Sequence, residues 1–439
     1  MKKRLARRVG RRAKRPGGWF PLAAMAWVGM FTPALASQFV ATTHEYIRVI
    51  PDTEGAIEDV VLHYVPDVAS DLRPLYRTLL RALPEDVRIR VVCPGEKAEA
   101  EFRSVWATMA DAKGRQVTVT RVEGPITLWS RDRLIARQGA RTGRPAPSFI
   151  PLNFEEGEEE KTNEIRMIPR LWNSRSPQRP TMGVLRMEGG NVVSNRRHAF
   201  VGVNVLMDNA HLGVSDRRLA REISRTLGVP VVFVGCAAGE VPYEHVDMYL
   251  TPLDDRTVLV GCTRLAQSLM TRRRAGRLSR SSAGWVYEDM DVSEETADLL
   301  DAVAEQVESL GYEVVRTPLI IDAERQWVVT YNNVVLDRRL GRNTVYLPMY
   351  RIAFLDRAGE DIYRRLGLEV RKIDVSGIFD LGGAVRCVVN VTRRRSAGTD
   401  RAMRHDWAGG VSGGRSTTQA GTYGYGRMAV GAFPEEVRP

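Results

Sequence analysis

The chain has 439 residues with 44% hydrophobic and 27% charged side chains, enough to bury a substantial core. Four cysteines in a chain of this length exclude a disulfide-stapled scaffold. The formal net charge of +11 is concentrated at one end, because nine Lys or Arg and no acid fall within Met1 to Arg15. Without those nine positive charges the remainder is +2, which excludes a nucleic-acid surface as the reason for the basic balance.

In chain order, the basic start is followed by the largely apolar Trp19 to Leu35 and then by Ala34-Leu35-Ala36 before Ser37. Charged, apolar and small-residue regions in that order read as an export signal over residues 1–36, with cleavage after Ala36. The expected location of the mature chain is periplasmic, cell-surface or extracellular. The pairs Arg7-Arg8 and Arg11-Arg12 leave the export route open. An uncleaved membrane anchor is the alternative, against which stand Pro33 and the short apolar run. No later apolar run is long enough to span a bilayer, so any membrane contact runs through the leader.

Beyond the leader, Ala69 to Leu83, Ser215 to Leu227 and Ser293 to Leu310 show the spacing of amphipathic helices. In the last, Leu299, Leu300, Val303, Val307 and Leu310 share one face, Ser293 stands as N-cap and Gly311 ends the helix. Strand-rich runs follow each helix at Val87 to Cys93, Val231 to Val234 and Tyr312 to Val315. Alternation over His198 to Val205, and an Asp254-Asp255 turn between Val246-to-Leu250 and Thr257-to-Val260, predict antiparallel partners. Glu155 to Thr162 and Ser174 to Pro180 read as an exposed insertion. Basic clusters at Arg264 to Arg280 and Arg393-Arg394-Arg395 read as solvated loops. From Ser396 to Pro439 the chain turns rich in Gly, Arg, Ser and Thr, a flexible tail by composition.

Four short clusters carry chemistry. Leu128-Trp129-Ser130-Arg131-Asp132, Met187-Glu188-Gly189-Gly190-Asn191 and Glu244-His245-Val246-Asp247-Met248 each place a carboxylate or imidazole at the edge of an apolar strand. In an extended reading His245 and Asp247 point to one face. The fourth cluster, Phe379 to Cys387, holds the pair Gly382-Gly383 ahead of a cysteine at the head of Val388-Val389-Asn390-Val391. Glycines there permit a tight approach and an exposed thiol, so Cys387 is a candidate nucleophile. Each cluster alone also fits a plain turn, surface strand or solvated ion pair. Cys236, between Gly235 and Ala237, is the rival nucleophile with fewer acid/base neighbours.

Together and in this order, the clusters resemble the guanidino-group-modifying (pentein) superfamily, above all its agmatine deiminase and bacterial peptidylarginine deiminase branch, over about Phe39 to Arg393. The resemblance implies an α/β fold, a pentein-type propeller of five pseudo-repeated strand-helix units around a central active site, with residues 37–395 as the catalytic domain. It also implies a site of Cys387, His245, Asp132, Glu188 and Asp247. Spacing supports repetition: Asp132 to Glu188 is 56 positions, Glu188 to His245 is 57, and the 142 positions on to Cys387 leave room for another unit.

A guanidinium is a planar cation with in-plane donors, held best by fixed carboxylates. Asp132, Glu188 and Asp247 are the expected clamp, Cys387 the nucleophile and His245 the proton carrier for departing ammonia and attacking water. Arg386, His245 or the bound guanidinium would favour the thiolate. The expected activity is deimination of peptidylarginine, arginine or an agmatine-like amine to a ureido product. No cofactor and no metal are called for. An amidinotransferase and a non-catalytic guanidinium or peptide binder are the alternatives.

The chain departs from the branch at two flanks. Arg133-Leu134-Ile135 follows Asp132 in place of x-Gly-Pro, and Arg386 and Val388-Val389 stand where the branch has a histidine before and a Thr-x-Gln after the nucleophile. Trp129, Arg131 and Arg386 are accordingly candidate contacts for the far end of the substrate.

Overall fold

The computed structural model describes residues 47–109, 114–139, 148–151, 159–160, 162–164, 185–236, 240–274 and 289–395. The expected leader, the tail from Ser396 and most of the 155–180 insertion fall outside the described residues. So does the end of the Arg264 to Arg280 cluster.

The chain opens with β1 (Ile47–Val49), β2 (Ala56–His63), α1 (Ala69–Ala82), β3 (Arg88–Pro94), α2 (Gly95–Ala107), β4 (Val117–Val122), β5 (Leu134–Gly139) and β6 (Ser148–Pro151). It continues through β7 (Val192–Ser194), β8 (Ala199–Gly202), α3 (Asp216–Leu227) and β9 (Val231–Val234). Then come β10 (Leu250–Pro252), β11 (Thr257–Cys262), α4 (Thr263–Arg274), α5 (Glu294–Ser309), β12 (Glu313–Ile321) and β13 (Val328–Thr330). The last part is β14 (Val335–Arg339), β15 (Arg342–Met349), α6 (Ala353–Arg365), β16 (Glu369–Asp374) and β17 (Asn390–Arg395).

These strands form an α/β fold with mixed sheets, five of them among the described residues. One supersecondary unit recurs: an antiparallel pair, a helical crossover, and a third strand parallel to the second. It appears as β7-β8-α3-β9, as β10-β11-α4-α5-β12 and as β14-β15-α6-β16. It appears again as β17-β2-α1-β3, where the late strand β17 pairs with the early β2 and closes the described chain on itself. The fifth sheet, β1-β5-β6, is antiparallel throughout and has no crossover helix among the described residues.

Local sequence explains most elements. In α1 the residues Leu72, Leu75, Tyr76, Leu79 and Leu80 recur at helical spacing and are all buried, facing the core they share with Ile89, Val91 and Val345. In α5 the Ser293 hydroxyl accepts the Thr296 amide at 3.3 Å, and past its end Gly311 takes φ +81°, as the caps predict. The expected strand over His198 to Val205 stops at Gly202, because Val203 turns the chain into a short helix, Asn204–Asp208. Conversely, the strand expected at Tyr312 to Val315 runs on to Ile321, since it pairs first with β11 and then with β13. No helix among the described residues is long and apolar enough to cross a membrane.

Candidate active site

The five sequence-identified residues sit on loops that lead into the first strand of a sheet's hairpin or its equivalent. Asp132 precedes β5, Glu188 precedes β7, His245 and Asp247 precede β10, and Cys387 precedes β17. Backbone bonds lock these loops together: the Gly189 amide donates to Asp132 O at 3.0 Å, and the Arg131 amide donates to Cys387 O at 3.1 Å. Side-chain atoms of Asp132, Glu188 and His245 lie within 4.8 Å of one another. Asp247 and Cys387 meet at Asn333, whose Nδ2 is 3.5 Å from Asp247 O and 3.4 Å from Cys387 Sγ.

Several expectations are corrected in detail. His245 and Asp247 do not alternate along a strand; Val246–Met248 is a 3-10 turn, closed by Met248 N–H to His245 O at 3.1 Å. The thiol is not exposed either. Cys387 lies inside the one-turn helix Val385–Val388 and is 4% exposed. The motif glycines serve side-chain approach. A Cβ on Gly383 would lie 2.3 Å from the Trp129 ring, and one on Gly190 would lie 2.4 Å from Nδ1 of His245. A Cβ on Gly189 would strike the Arg131 carbonyl at 1.9 Å. Gly190→Ala is therefore expected to displace the His245 ring and cut turnover about 100-fold in a steady-state assay, with the fold retained by circular dichroism. Unchanged turnover would mean that the ring position is immaterial.

The carboxylates divide. Glu188 is engaged on both oxygens, Oε1 accepting from Arg133 Nη1 at 2.9 Å and Oε2 meeting His245 Nε2 at 2.8 Å. Its geometry orients the imidazole rather than facing a third group. Asp132 and Asp247 each keep a buried Oδ1 with no hydrogen-bond partner. The other oxygen of Asp247 accepts from Arg386 Nη1 at 2.8 Å. Of the expected clamp, these two free oxygens remain to receive a cation. A metal fits the cluster poorly, since Glu188 and the Nε2 of His245 already satisfy each other and Arg133.

Arg386 and Arg131 do not reach a substrate end. Arg386 spends its guanidinium on Asp52, at 3.0 and 3.1 Å, on Asp247 and on Val192 O. Arg131 bonds Asn390 Oδ1 and Val192 O and is buried. Trp129 stays half-buried against Gly383 and is the one candidate end contact left near the site. Cys236, the rival nucleophile, bonds Glu240 Oε2 at 3.4 Å. Cys236→Ser is expected to retain turnover within about two-fold, because this half-buried thiol bonds Glu240 rather than any residue of the cluster; a large loss would return Cys236 to candidacy.

Charge and burial set the protonation states. Burial raises the Asp132 carboxyl to about 7, with Glu188 adding to the rise and His245 opposing it. Burial alone would lower His245, but the Glu188 hydrogen bond and the Asp132 and Glu188 charges outweigh it and raise the imidazole to about 10. The Cys387 thiol is pushed well above its usual value by burial and then by the Asp247 and Asp132 charges. The free site at neutral pH thus holds an imidazolium and a thiol. Arg386 is consumed by Asp52 and Asp247 and does not supply the thiolate-favouring charge expected of it.

Sequence reasoning missed Asn333 and Glu164, and it offers Arg133 as a candidate contact for a substrate carboxylate where the structure pairs it with Glu164 and Glu188. Asn333 precedes β14 as Asp132, Glu188, Asp247 and Cys387 precede their strands, and its Oδ1 accepts the Arg386 amide at 2.7 Å. It stands 54 positions before Cys387, close to the 56- and 57-position spacing between the first motifs, so that spacing counted backward would have found it.

No protein-family model and no curated protein matches the sequence. Solved structures do match its fold. The C. jejuni agmatine deiminase aligns with a TM-score of 0.54 at 15% identity, over 78% of this chain and 95% of that one. An agmatine deiminase of Enterococcus faecalis aligns with a TM-score of 0.55 at 12% identity, over 81% of this chain and 99% of that one. A candidate peptidyl-arginine deiminase aligns with a TM-score of 0.55 at 14% identity, over 78% and 98%. At these identities the likeness is one of fold: the α/β architecture with mixed sheets is shared with those deiminases.

Proposed function

We propose that this chain is a cysteine-dependent deiminase that converts a guanidino group to a ureido group and ammonia. One observation carries the reading: two buried carboxylates, Asp132 and Asp247, hold unbonded oxygens beside a buried thiol and a carboxylate-paired imidazole. A planar organic cation satisfies both oxygens through in-plane donors. Its charge also offsets the two carboxylates that hold the Cys387 thiol protonated, so substrate arrival releases the thiol proton to solvent and favours the thiolate.

In this reading Cys387 Sγ attacks the guanidinium carbon, and His245 protonates the departing ammonia. The resulting amidino-thioether is hydrolysed by a water that returns its proton to His245, which restores the thiolate and releases the ureido product. Peptidylarginine, arginine and agmatine-like amines are the candidate substrates. The five-unit propeller belongs to the same proposal, supported by the unit recurring in four sheets and by one site-facing residue ahead of the leading strand in each of five. Export through residues 1–36 is likewise proposed, on the sequence alone.

The test is a screen of guanidino compounds, with and without amine acceptors, against the chain from Ser37 onward. Ureido product with stoichiometric ammonia is the expected result. Product formed only with an amine acceptor would make the chain an amidinotransferase. Binding with neither ammonia nor an adduct on Cys387 would leave a guanidinium-binding module and overturn the enzyme reading.

A further inference from the structure

Directly after the acidic segment Glu155 to Thr162, two consecutive residues, Asn163 and Glu164, enter the protein. Asn163 Nδ2 donates to Pro125 O at 2.9 Å, close over Gly124, where an added Cβ would lie 2.5 Å from that nitrogen. Glu164 is wholly buried. Its Oε1 accepts both the amide and the hydroxyl of Thr127 at 2.6 Å, and its Oε2 accepts Nε of Arg133 at 3.0 Å. Arg133 is itself 2% exposed and donates Nη1 to Glu188, which in turn bonds His245. His63 lies beside Glu164 at 3.7 Å and is kept neutral by burial.

We propose that Glu164 is a positioning residue for the site: through Arg133 it fixes the Glu188 carboxylate against Nε2 of His245. This deepens the deiminase reading and rests on it for its role in turnover, but the geometry stands apart from any substrate. Buried arginine needs a compensating carboxylate, and here one guanidinium is divided between two. The division decides how much of Glu188's charge is left for the imidazole. The charged groups facing His245 are Asp132 and Glu188 from the loops before β5 and β7 and Glu244 from its own loop, with Arg133 acting through Glu188.

The sign follows from the sharing. Glu164→Gln leaves a larger share of the Arg133 charge to Glu188, beside the share that Asp132 takes, so Glu188 stabilises the imidazolium less and His245 loses its proton at lower pH. Removing Arg133 frees Glu188 for His245, which keeps its proton to higher pH. A merely structural pair would change the melting temperature and leave the imidazole alone.

The experiment is an NMR titration of the full chain with ring-labelled histidine, the His245 signal being assigned by His245→Gln. Glu164→Gln is expected to lower the His245 titration by about one pH unit. In the paired variant Arg133→Met, Glu164→Leu, which leaves no lone buried charge should either single variant misfold, His245 is expected to titrate higher than in the parent. With a turned-over substrate, Glu164→Gln should lower kcat by about ten-fold with little change in KM, and move the alkaline limb of kcat in the same direction. An unmoved His245 in both folded variants overturns the proposal, whatever the activity. Shifts as stated with no ureido product from the parent chain would leave the relay standing and remove the deiminase reading.

Discussion

Cys387→Ser is expected to bring ureido product to background while the protein melts within a few degrees of the parent. The alcohol fits the place: Asn333 Nδ2, 3.4 Å from the sulfur, can donate to an oxygen as well, which offsets the loss of the sulfur's contact with Met248 in the apolar cluster. Chemistry is lost because a serine hydroxyl would have to ionise where even the more acidic thiol is held protonated by burial and by Asp247 and Asp132. A guanidinium carbon, its charge spread over three nitrogens, does not yield to a neutral alcohol. Intact mass after incubation with substrate is the direct check, the parent carrying an amidino adduct and the variant none. Turnover near the parent's level would take Cys387 out of the mechanism and hand the role to Cys236.

The same buried thiol has a pH consequence in the absence of substrate. Its titration lies well above that of an exposed cysteine, so alkylation of free Cys387 should be slow at neutral pH and quicken as pH rises. The half-buried Cys236 offers an internal comparison in the same peptide digest.

What the sequence made legible were features with a local period. Helices α1, α3 and α5 could be read from apolar spacing because each buries one face, and β9 from an unbroken apolar run. The motif residues Asp132, Glu188, His245, Asp247 and Cys387 could be grouped because the proposed guanidinium chemistry needs carboxylates, imidazole and thiol together, and the loops that carry them do meet. What escaped were pairings set by assembly. Arg133 looks solvated beside Arg131 and Asp132, yet its partners Glu164 and Glu188 lie 31 and 55 positions away and are brought in by separate loops. The 3-10 turn at Val246–Met248 has the same apolar and polar alternation as a strand, and only tertiary packing decides between them. The role of Gly190 was equally hidden, because the atom it must avoid belongs to His245, 55 positions on.

His245→Ala separates proton transfer from cation binding. The imidazole is held by Glu188 at 2.8 Å and charged by the surrounding carboxylates, so in the proposed mechanism its removal deletes the acid for ammonia departure and the base for water attack. Each role is typically worth about 10² to 10⁴-fold, so single-turnover formation and decay of the Cys387 adduct should both slow by that order. Binding should weaken little or even tighten, because the variant takes a positive charge away from a site built for a cation. Asp247→Asn should behave differently. It removes one of the two free oxygens for the guanidinium and leaves Arg386 with Asp52 as its main acidic partner, so substrate affinity falls first and stability falls with it. Reduced carboxylate charge near the sulfur should at the same time lower the thiol's titration and speed alkylation of the free protein. Adduct mass against time, read beside a binding isotherm for each variant, checks both. A histidine variant with unchanged adduct kinetics, or an Asp247 variant with unchanged affinity, would separate that residue from the role its geometry assigns it.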